Sequence, residues 1–551
     1  MLLLSMQASL GVSAAGPAEQ AAQPEPSTAM PRSAAPGSSA AGAVFNLLEF
    51  RVEGNTVLKT VEVEQVVYPF LGENKTIKDV EAARQQLEKA YHDRGYLTAL
   101  VNIPEQRVAD GVVTLKVVEA PVGKLRVTGS KYHSLDVIRA TVPELAEGNV
   151  PNFNRVQQEL AGLNRSADRR VTPILRASDT PGRVDVELQV KDEFPLHASA
   201  ELNNYYSSNT SHLRAIGEVH YDNLFQRGQS VDFQYQTSPD NTKDVRVWSL
   251  SYVIPTAGDP VWALYAVHSD SNVSAVGDLN VVGNGDIYGV RLIEPLPKAG
   301  DRFYHSLTGG LDYKDFKENV VLQGSDKIAT PIHYAPFSVL YSATWLQPAA
   351  PDKSTSSAAN NANFSNTTFT AGFNFQIRGF ASDGEQFHEK RSDASSSYIT
   401  FKPSLQRQQA LPAAWSVVGK IDGQLASGPL ISNEQYGIGG IDSVRGYLES
   451  ERLGDDGMRG SLELHTPNLL ARYDARVERA YVLAFAEQGL VRVREPLPTQ
   501  ESGFNLTSCG LGFRFKARGL SIDLDAEHVL NGGFDTKSGA NRAQFRVNYG
   551  F

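Results

Sequence analysis

From Pro195 to Phe551 the chain keeps one texture, in which segments of roughly 8–12 residues alternate apolar with polar side chains between turn or loop residues. Val231, Phe233 and Tyr235 alternate with Asp232, Gln234 and Gln236. Cys509, Leu511, Phe513 and Phe515 alternate with Gly510, Gly512, Arg514 and Lys516. Leu520, Ile522, Leu524 and Ala526 alternate with Ser521, Asp523, Asp525 and Glu527. Successive residues of a strand point to opposite faces, so each segment has one apolar and one polar side. No apolar set stands on both faces, and a sandwich core is not needed to explain the pattern. A closed barrel, with lipid outside and water inside, satisfies every backbone group without leaving an edge. About 22 residues per strand and loop predicts roughly 16 strands, and the same arithmetic admits about 14 or 18.

Composition narrows the function. No run approaches 18 consecutive apolar residues, so helical membrane crossing is excluded. A net charge of −10 gives no support to nucleic-acid binding, which needs a basic face. The single cysteine, Cys509, rules out a disulfide framework and falls on the lipid-facing set, where it reads as an inert small apolar residue. His305, His333, His388 and His465 are scattered, with no cysteine or carboxylate at metal-ligand spacing. Asp523, Asp525 and Glu527 read as lumen-facing polar residues rather than catalysts, and no Gly-x-Ser-x-Gly motif occurs. The expectation is a protein with no enzymatic role, cofactor or metal.

Leu2-Leu3-Leu4, Leu10 and Val12-Ser13-Ala14 resemble the apolar core and cleavage region of a signal peptide over residues 1–15. It is atypical, because no Lys or Arg precedes Arg32. Residues 16–44 are rich in Ala, Pro and Ser and read as a linker. Two similar modules follow, predicted over 45–120 and 121–194. In the first, a strand over Leu48–Asn55 turns at Gly54-Asn55, and a short helix covers Val61–Leu71. A longer helix after Thr76 presents Ile77, Val80, Leu87 and Tyr91 on one face and stops at Gly95. A hairpin of Thr98–Ile103 and Val112–Glu119 closes the unit. Arg51-Val52-Glu53-Gly54-Asn55 is echoed by Arg126-Val127-Thr128-Gly129-Ser130. A second helix carries Phe153, Val156, Leu160 and Leu163, and a closing strand Val184, Val186, Leu188 and Val190. Repetition at this length indicates an array of small βααββ units.

These units resemble POTRA domains, most closely the pair found in the TpsB transporters of two-partner secretion. Ala90-Tyr91-His92-Asp93-Arg94-Gly95-Tyr96-Leu97, followed by Val101, is similar to the signature of that family's first module. The resemblance implies α+β periplasmic modules followed by an all-β transmembrane barrel in the outer membrane of a Gram-negative bacterium. POTRA modules are thought to take up unfolded chains by adding them to an open sheet edge, a largely sequence-blind pairing. The chain's last residues, in which Phe545, Val547, Tyr549 and Phe551 alternate with Gln544, Arg546 and Asn548, resemble the terminal strand by which the barrel assembly machinery recognises its substrates.

One further stretch stands out. Tyr436-Gly437-Ile438-Gly439-Gly440-Ile441-Asp442-Ser443-Val444-Arg445-Gly446-Tyr447 lies between two clean period-2 segments, in a loop expected around 427–457. Val444, Arg445, Gly446 and Tyr447 match the VRGY/F signature of the superfamily that contains BamA and the TpsB transporters. There the loop folds back into the lumen, and its arginine meets an acidic residue in a Phe-x-Asp-x-Gly strand. Phe485-Ala486-Glu487-Gln488-Gly489 is the counterpart here, with Glu in place of Asp. By parity Phe485, Glu487 and Gly489 face inward, and Gly510-Leu511-Gly512 resembles the next wall segment. In a wet lumen the ion pair is expected to contribute about 1 kcal/mol, with reversal of both charges restoring function. The resemblance as a whole implies a monomeric exporter of one large, unfolded TpsA-type partner, working without ATP. A BamA- or TamA-type assembly factor and a passive porin or receptor are the alternatives.

Overall fold

The structure is a computed structural model. It describes residues 44–551 except 109, 209, 257–259, 272, 277–278, 283, 298, 301, 322–326, 349–363, 475 and 499. The expected signal segment (1–15) and all but the last residue of the linker (16–44) lie outside the described residues. Two compact units divide the chain at Pro195 and Leu196.

Within 44–195 two modules repeat. In the first, the strand Glu49–Glu53 lies parallel to Val112–Val118, whose other side pairs antiparallel with Leu100–Asn102. Helices Thr60–Val67 and Ile77–Asp93 accompany this sheet, and Phe45–Leu47 makes a separate pairing with Gly72–Lys75. In the second, Val122–Thr128 lies parallel to Val184–Asp192, which pairs antiparallel with Arg169–Ala177; the helices are Leu135–Ala140 and Phe153–Leu163. The last strand of each module is thus the central one. Val80, Leu87 and Tyr91 are buried in the first core, whereas Ile77 is exposed in the first turn of its helix. There Thr76 and Asp79 form a capping box.

The echoed glycines have a shared cause. Gly54 (φ 84°) and Gly129 (φ 85°) both leave the first strand in the left-handed region. A Cβ on either would lie 2.3 Å from the carbonyl oxygen of Val117 or Val190, respectively, on the central strand. In each module the residue ending that central strand's run then caps the turn. Glu119 accepts the Thr56 and Val57 N–H groups (2.7 and 3.1 Å). Asp192 accepts those of Lys131, Tyr132 and His133 (2.9, 2.9 and 3.2 Å) and the hydroxyl of Ser130 (2.9 Å).

From Leu196 onward, sixteen antiparallel strands close into a barrel. One of the sixteen, Lys327–Tyr334 continued by Phe337–Pro348, is interrupted at Ala335-Pro336, and both parts pair with Phe303–Val321. Closure is made by Asn541–Gly550 against Leu196–Asn203, from Arg546↔Asn203 to Gly550↔Ser199, with Phe551 and Ala198 exchanging backbone bonds. Phe233, Leu250, Trp262, Leu264, Leu462, Leu511 and Leu524 are exposed on the outer face, while Asp232, Gln236, Ser249, Asp523, Asp525 and Glu527 are buried inside. Among the described residues no helix is long and apolar enough to cross a membrane. Crossing is by strands.

The polar-lumen expectation requires one correction. Val247, Val267, Ile287, Phe316 and Ile332 sit on the inward parity of their strands and are buried in an apolar cluster. The inner face is apolar there because it packs on folded loop residues instead of water: Phe387 and Ala394 from loop 377–397, and Leu430 and Ile431 from the following long loop, belong to the same cluster.

Asp192 gives the second module a pH dependence. Burial opposes its ionisation, but the N–H groups of Tyr132 and Lys131, the His133 ring and Ser130 hold its carboxyl down to about 2. Burial also pushes the His133 imidazole below its usual range, so the neutral ring donates Nδ1–H to Asp192 (3.2 Å). Both folded values are depressed. The carboxylate's contribution is therefore full above about pH 4 and lost as pH falls toward 2, while His133 begins to favour unfolding once pH drops below about 6.5. Asp192→Asn is expected to destabilise this module by about 1–3 kcal/mol at neutral pH and to flatten the acid limb. Urea unfolding of a 44–195 fragment, followed by circular dichroism across pH, checks both.

Candidate functional site: the arginine of the inward loop

The long loop between strands Ser416–Ala426 and Asp456–His465 is not loose. Tyr436–Ile438 pairs antiparallel with Arg452–Gly454, making a small hairpin whose far end carries the Val444–Tyr447 motif. Its base is tied to the barrel wall, where the Tyr436 hydroxyl donates to Asp422 (2.5 Å). Arg459 holds the same carboxylate through Nε (2.8 and 2.9 Å) and also bonds the Asp442 carbonyl.

The hairpin brings Arg445 against strand Val477–Arg492. Arg445 donates to Glu487 Oε1 from Nε (2.9 Å) and Nη2 (2.5 Å), and its backbone N–H donates to Oε2 (2.7 Å). Side chain and backbone of one residue are thereby held by one carboxylate, which fixes the loop's position as well as its charge. Arg445 Nη2 also meets Glu463 Oε1 (2.5 Å) and Nη1 meets Asp525 Oδ1 (3.4 Å). Arg445 is 3 % exposed and Glu487 6 %, so this is a buried network and not the solvated pair that the sequence suggested. Asp525 is shared with Arg514 Nη2 (2.9 Å), and Asp523 with Arg546. Alternating charges thus run across the wall beside a cavity of about 500 Å³.

The wall residues around Glu487 explain its neighbours. Phe485 is buried, and the Arg445 guanidinium lies 3.6 Å from its ring centroid. The inward phenylalanine is therefore a platform for the arginine, whereas Tyr447 goes elsewhere. Opposite Phe485 in the register stands Gly510, where a Cβ would come within 2.6 Å of the Phe485 ring. At Gly489 a Cβ would lie 2.9 Å from Val444 Cγ2 and 3.1 Å from Ile438 Cγ2, so glycine admits the loop. Val444 and Tyr447 are fully buried with Ile438, Val491, Leu506 and Val529. The Tyr447 hydroxyl lies 2.6 Å from the Asn531 carbonyl and accepts the Thr507 N–H (3.0 Å). Gly446 (φ 89°) turns its N–H toward Gln544 Oε1 (3.4 Å). Phe545, Val547 and Tyr549 lie on the final barrel strand; Tyr549 and Phe551 are exposed.

Glu463 and Asp525 were not singled out from sequence as partners of Arg445. Their inward parity was readable, but their convergence on one guanidinium depends on how far apart strands 456–465, 477–492 and 520–529 curve in space.

A closed 16-strand barrel preceded by POTRA-type modules, with a long loop anchored inside the lumen by an arginine, has the fold of the BamA-like outer-membrane barrels. Residues 45–120 match the model of the ShlB-type POTRA domain, and residues 350–515 that of the haemolysin secretion/activation protein ShlB/FhaC/HecB. The outer membrane transporter CdiB of Escherichia coli O6:K15:H31 is 24 % identical over 438 residues, covering 76 % of this chain and 68 % of that protein. CdiB of Dickeya dadantii is 21 % identical over 435 residues, covering 77 % and 73 %. The solved structure of CdiB from Escherichia coli aligns with a TM-score of 0.64 at 21 % identity, over 94 % of this chain and 93 % of that one. BamA from Haemophilus ducreyi lacking POTRA domains 1–3 aligns at 0.53 and 15 % identity, over 92 % and 100 %. The chain thus carries an ShlB-type POTRA domain and a region of ShlB/FhaC/HecB type, is similar to the TpsB transporters, and resides in the outer membrane.

The network's charges are unequal, and this makes substitutions asymmetric. Arg445→Ala leaves Glu463, Glu487 and Asp525 facing one another while buried, at an expected cost of about 3–5 kcal/mol. Glu487→Gln leaves Arg445 with two carboxylates and costs about 1–3 kcal/mol. Reversing both charges does not restore the site, because a glutamate at 445 would face Glu463 and Asp525. Trypsin sensitivity of the loop in folded, heat-modifiable protein is expected to be high in Arg445→Ala and in the double reversal, and low in Glu487→Gln. Equal sensitivity in the Arg445→Ala and Glu487→Gln variants would contradict the network.

Proposed function

We propose that this protein exports one large partner across the outer membrane: the POTRA pair receives an unfolded TpsA-type exoprotein in the periplasm, and the barrel passes it outward. The observation that carries this reading is the loop hairpin held inside the barrel by Arg445 and Glu487. The POTRA-type pair ahead of the barrel argues against a diffusion pore, which needs no chain-handling module. Relatives named as outer membrane transporters support the same reading. The sequence carries no phosphate-binding loop, and the partner's folding outside the cell is the implied driving force.

The two modules offer unfolded chain the edges of their three-stranded sheets, the strands Glu49–Glu53 and Leu100–Asn102 in the first and Val122–Thr128 and Arg169–Ala177 in the second. Three of these edges carry occupied positions: Val101 bonds Arg84 and Glu88 (3.2 and 3.0 Å), Val122 bonds the backbone of Gly148 and Asn149 (2.8 and 2.9 Å), and Val171 bonds Asn164 (2.6 and 3.0 Å). These contacts favour the edge of Glu49–Glu53, the first strand of the first module, as the stretch for β-addition. The lumen loop motif Val444–Tyr447 and the wall set Phe485, Glu487 and Gly489 hold the barrel in a competent state. The terminal strand through Phe545, Val547, Tyr549 and Phe551 serves delivery to the barrel assembly machinery. The exporter acts as a monomer.

Deletion of the gene is expected to remove one large protein from the culture medium and to leave other outer-membrane barrels at normal abundance. Comparative proteomics of medium and outer membrane decides the matter. General loss of barrels would mean an assembly factor, and loss of small-solute uptake alone a porin.

A further inference from the structure

Asp455, at the end of the long loop, is completely buried, and three loops converge on its carboxylate. From loop 377–397, Arg391 approaches with Nη1 (2.5 Å) and Nη2 (2.9 Å). From loop 493–502, the Arg494 N–H donates to Oδ2 (2.7 Å). From loop 427–455 itself, the Leu430 N–H (2.8 Å) and Gln435 Nε2 (3.2 Å) complete the set. Arg391 spends its remaining donors on carbonyls of the same two partner loops, Leu430 O (2.5 Å) and Arg494 O (2.7 Å).

The segments joined in this way also carry an apolar body. The short helix Gly384–Lys390 places Phe387 in a cluster with Leu430 and Ile431 and with the inward wall residues Ile287, Phe316 and Tyr334. A second polar contact ties the long loop to the wall, where Glu434 meets Lys314 Nζ (2.5 Å) and accepts the Tyr334 hydroxyl (2.7 Å). The loops therefore fill part of the barrel's mouth with packed side chains, and a polypeptide leaving through it must displace them.

We propose that Asp455 is the latch of this plug. With Arg391 seated, loops 377–397, 427–455 and 493–502 move only as one body, and the exit opens when the fork between Arg391 and Asp455 parts. A carboxylate this deeply buried cannot lose its cation by degrees, because a half-open latch leaves an unpaired charge out of water. The latch is therefore either closed or fully hydrated between separated loops. It is distinct from the Arg445 anchor, which joins the long loop to barrel strands, whereas Asp455 joins loops to one another. The proposal rests on the barrel being the export path.

The test is ion conductance of the full-length protein in planar lipid bilayers. Asp455→Asn is expected to raise the open fraction about tenfold or more. Arg391→Lys, which keeps the charge but loses the fork, is expected to do the same to a smaller degree. The double variant Arg391→Ala/Asp455→Asn should open no further than Asp455→Asn alone. Asp456→Asn breaks the adjacent pair with Arg494 (2.7 Å) without touching Arg391 and should remain as quiet as the native protein. Heat-modifiable migration reports folding; should Asp455→Asn fail to fold, Arg391→Lys decides. Native conductance in the folded variants, or an equal rise in Asp456→Asn, overturns the latch. Failure of the export reading would show separately, as partner protein still present in the medium of the deletion strain.

Discussion

The constraint on which everything else depends is closure of the sheet. In hydrocarbon no backbone N–H or C=O finds water, so the strand Asn541–Gly550 has to return to Leu196–Asn203 and pair there. Once closed, the barrel has an inside that must be furnished. Strand periodicity sends every second residue inward, and many of those residues are Ser, Gln, Asp, Glu and Arg. Their burial against each other and against inward loops is what turns a generic pore wall into a set of specific seats.

Those seats are built from unequal parts. Around Arg445 the wall offers three carboxylates to one guanidinium, with an aromatic ring beneath it and glycines where a side chain would intrude. The extra methylene of Glu487 lets one carboxylate reach both the guanidinium and the backbone N–H of Arg445. Replacing Asp by Glu thus need not loosen the contact. The surplus negative charge is balanced sideways by Arg514, which shares Asp525, so the stability of the anchor also depends on a wall residue that the guanidinium itself does not touch.

Much of this was legible in the sequence because it follows from parity. Alternation alone placed Asp523, Asp525 and Glu527 inward and Leu511 and Leu524 outward, and the echoed Arg-Val-x-Gly exposed the repeat through a glycine that must adopt positive φ in both modules. What parity does not contain is depth. Val247, Ile287 and Phe316 alternate like any inward residue, and only the fold of a distant loop makes their apolar character useful. The same holds for Asp455 and Arg391: both look like loop charges destined for solvent, and their pairing depends on where two loops separated by two strands come to rest.

A barrel loop can be held in two ways, by the wall or by its neighbours, and this protein uses both on the same loop. Wall attachment at Arg445 leaves the hairpin in place whatever the other loops do, since its partners lie on strands whose backbone bonds cannot be exchanged in lipid. Attachment at the Asp455 carboxylate has no such security, because the donors that hold it belong to loops. Breaking the first would require the barrel wall to deform; breaking the second requires only that water reach one carboxylate. If a chain is to leave without the barrel coming apart, the contact that yields should be the one made among loops, with the wall contact surviving each cycle as the fixed point to which the loop returns.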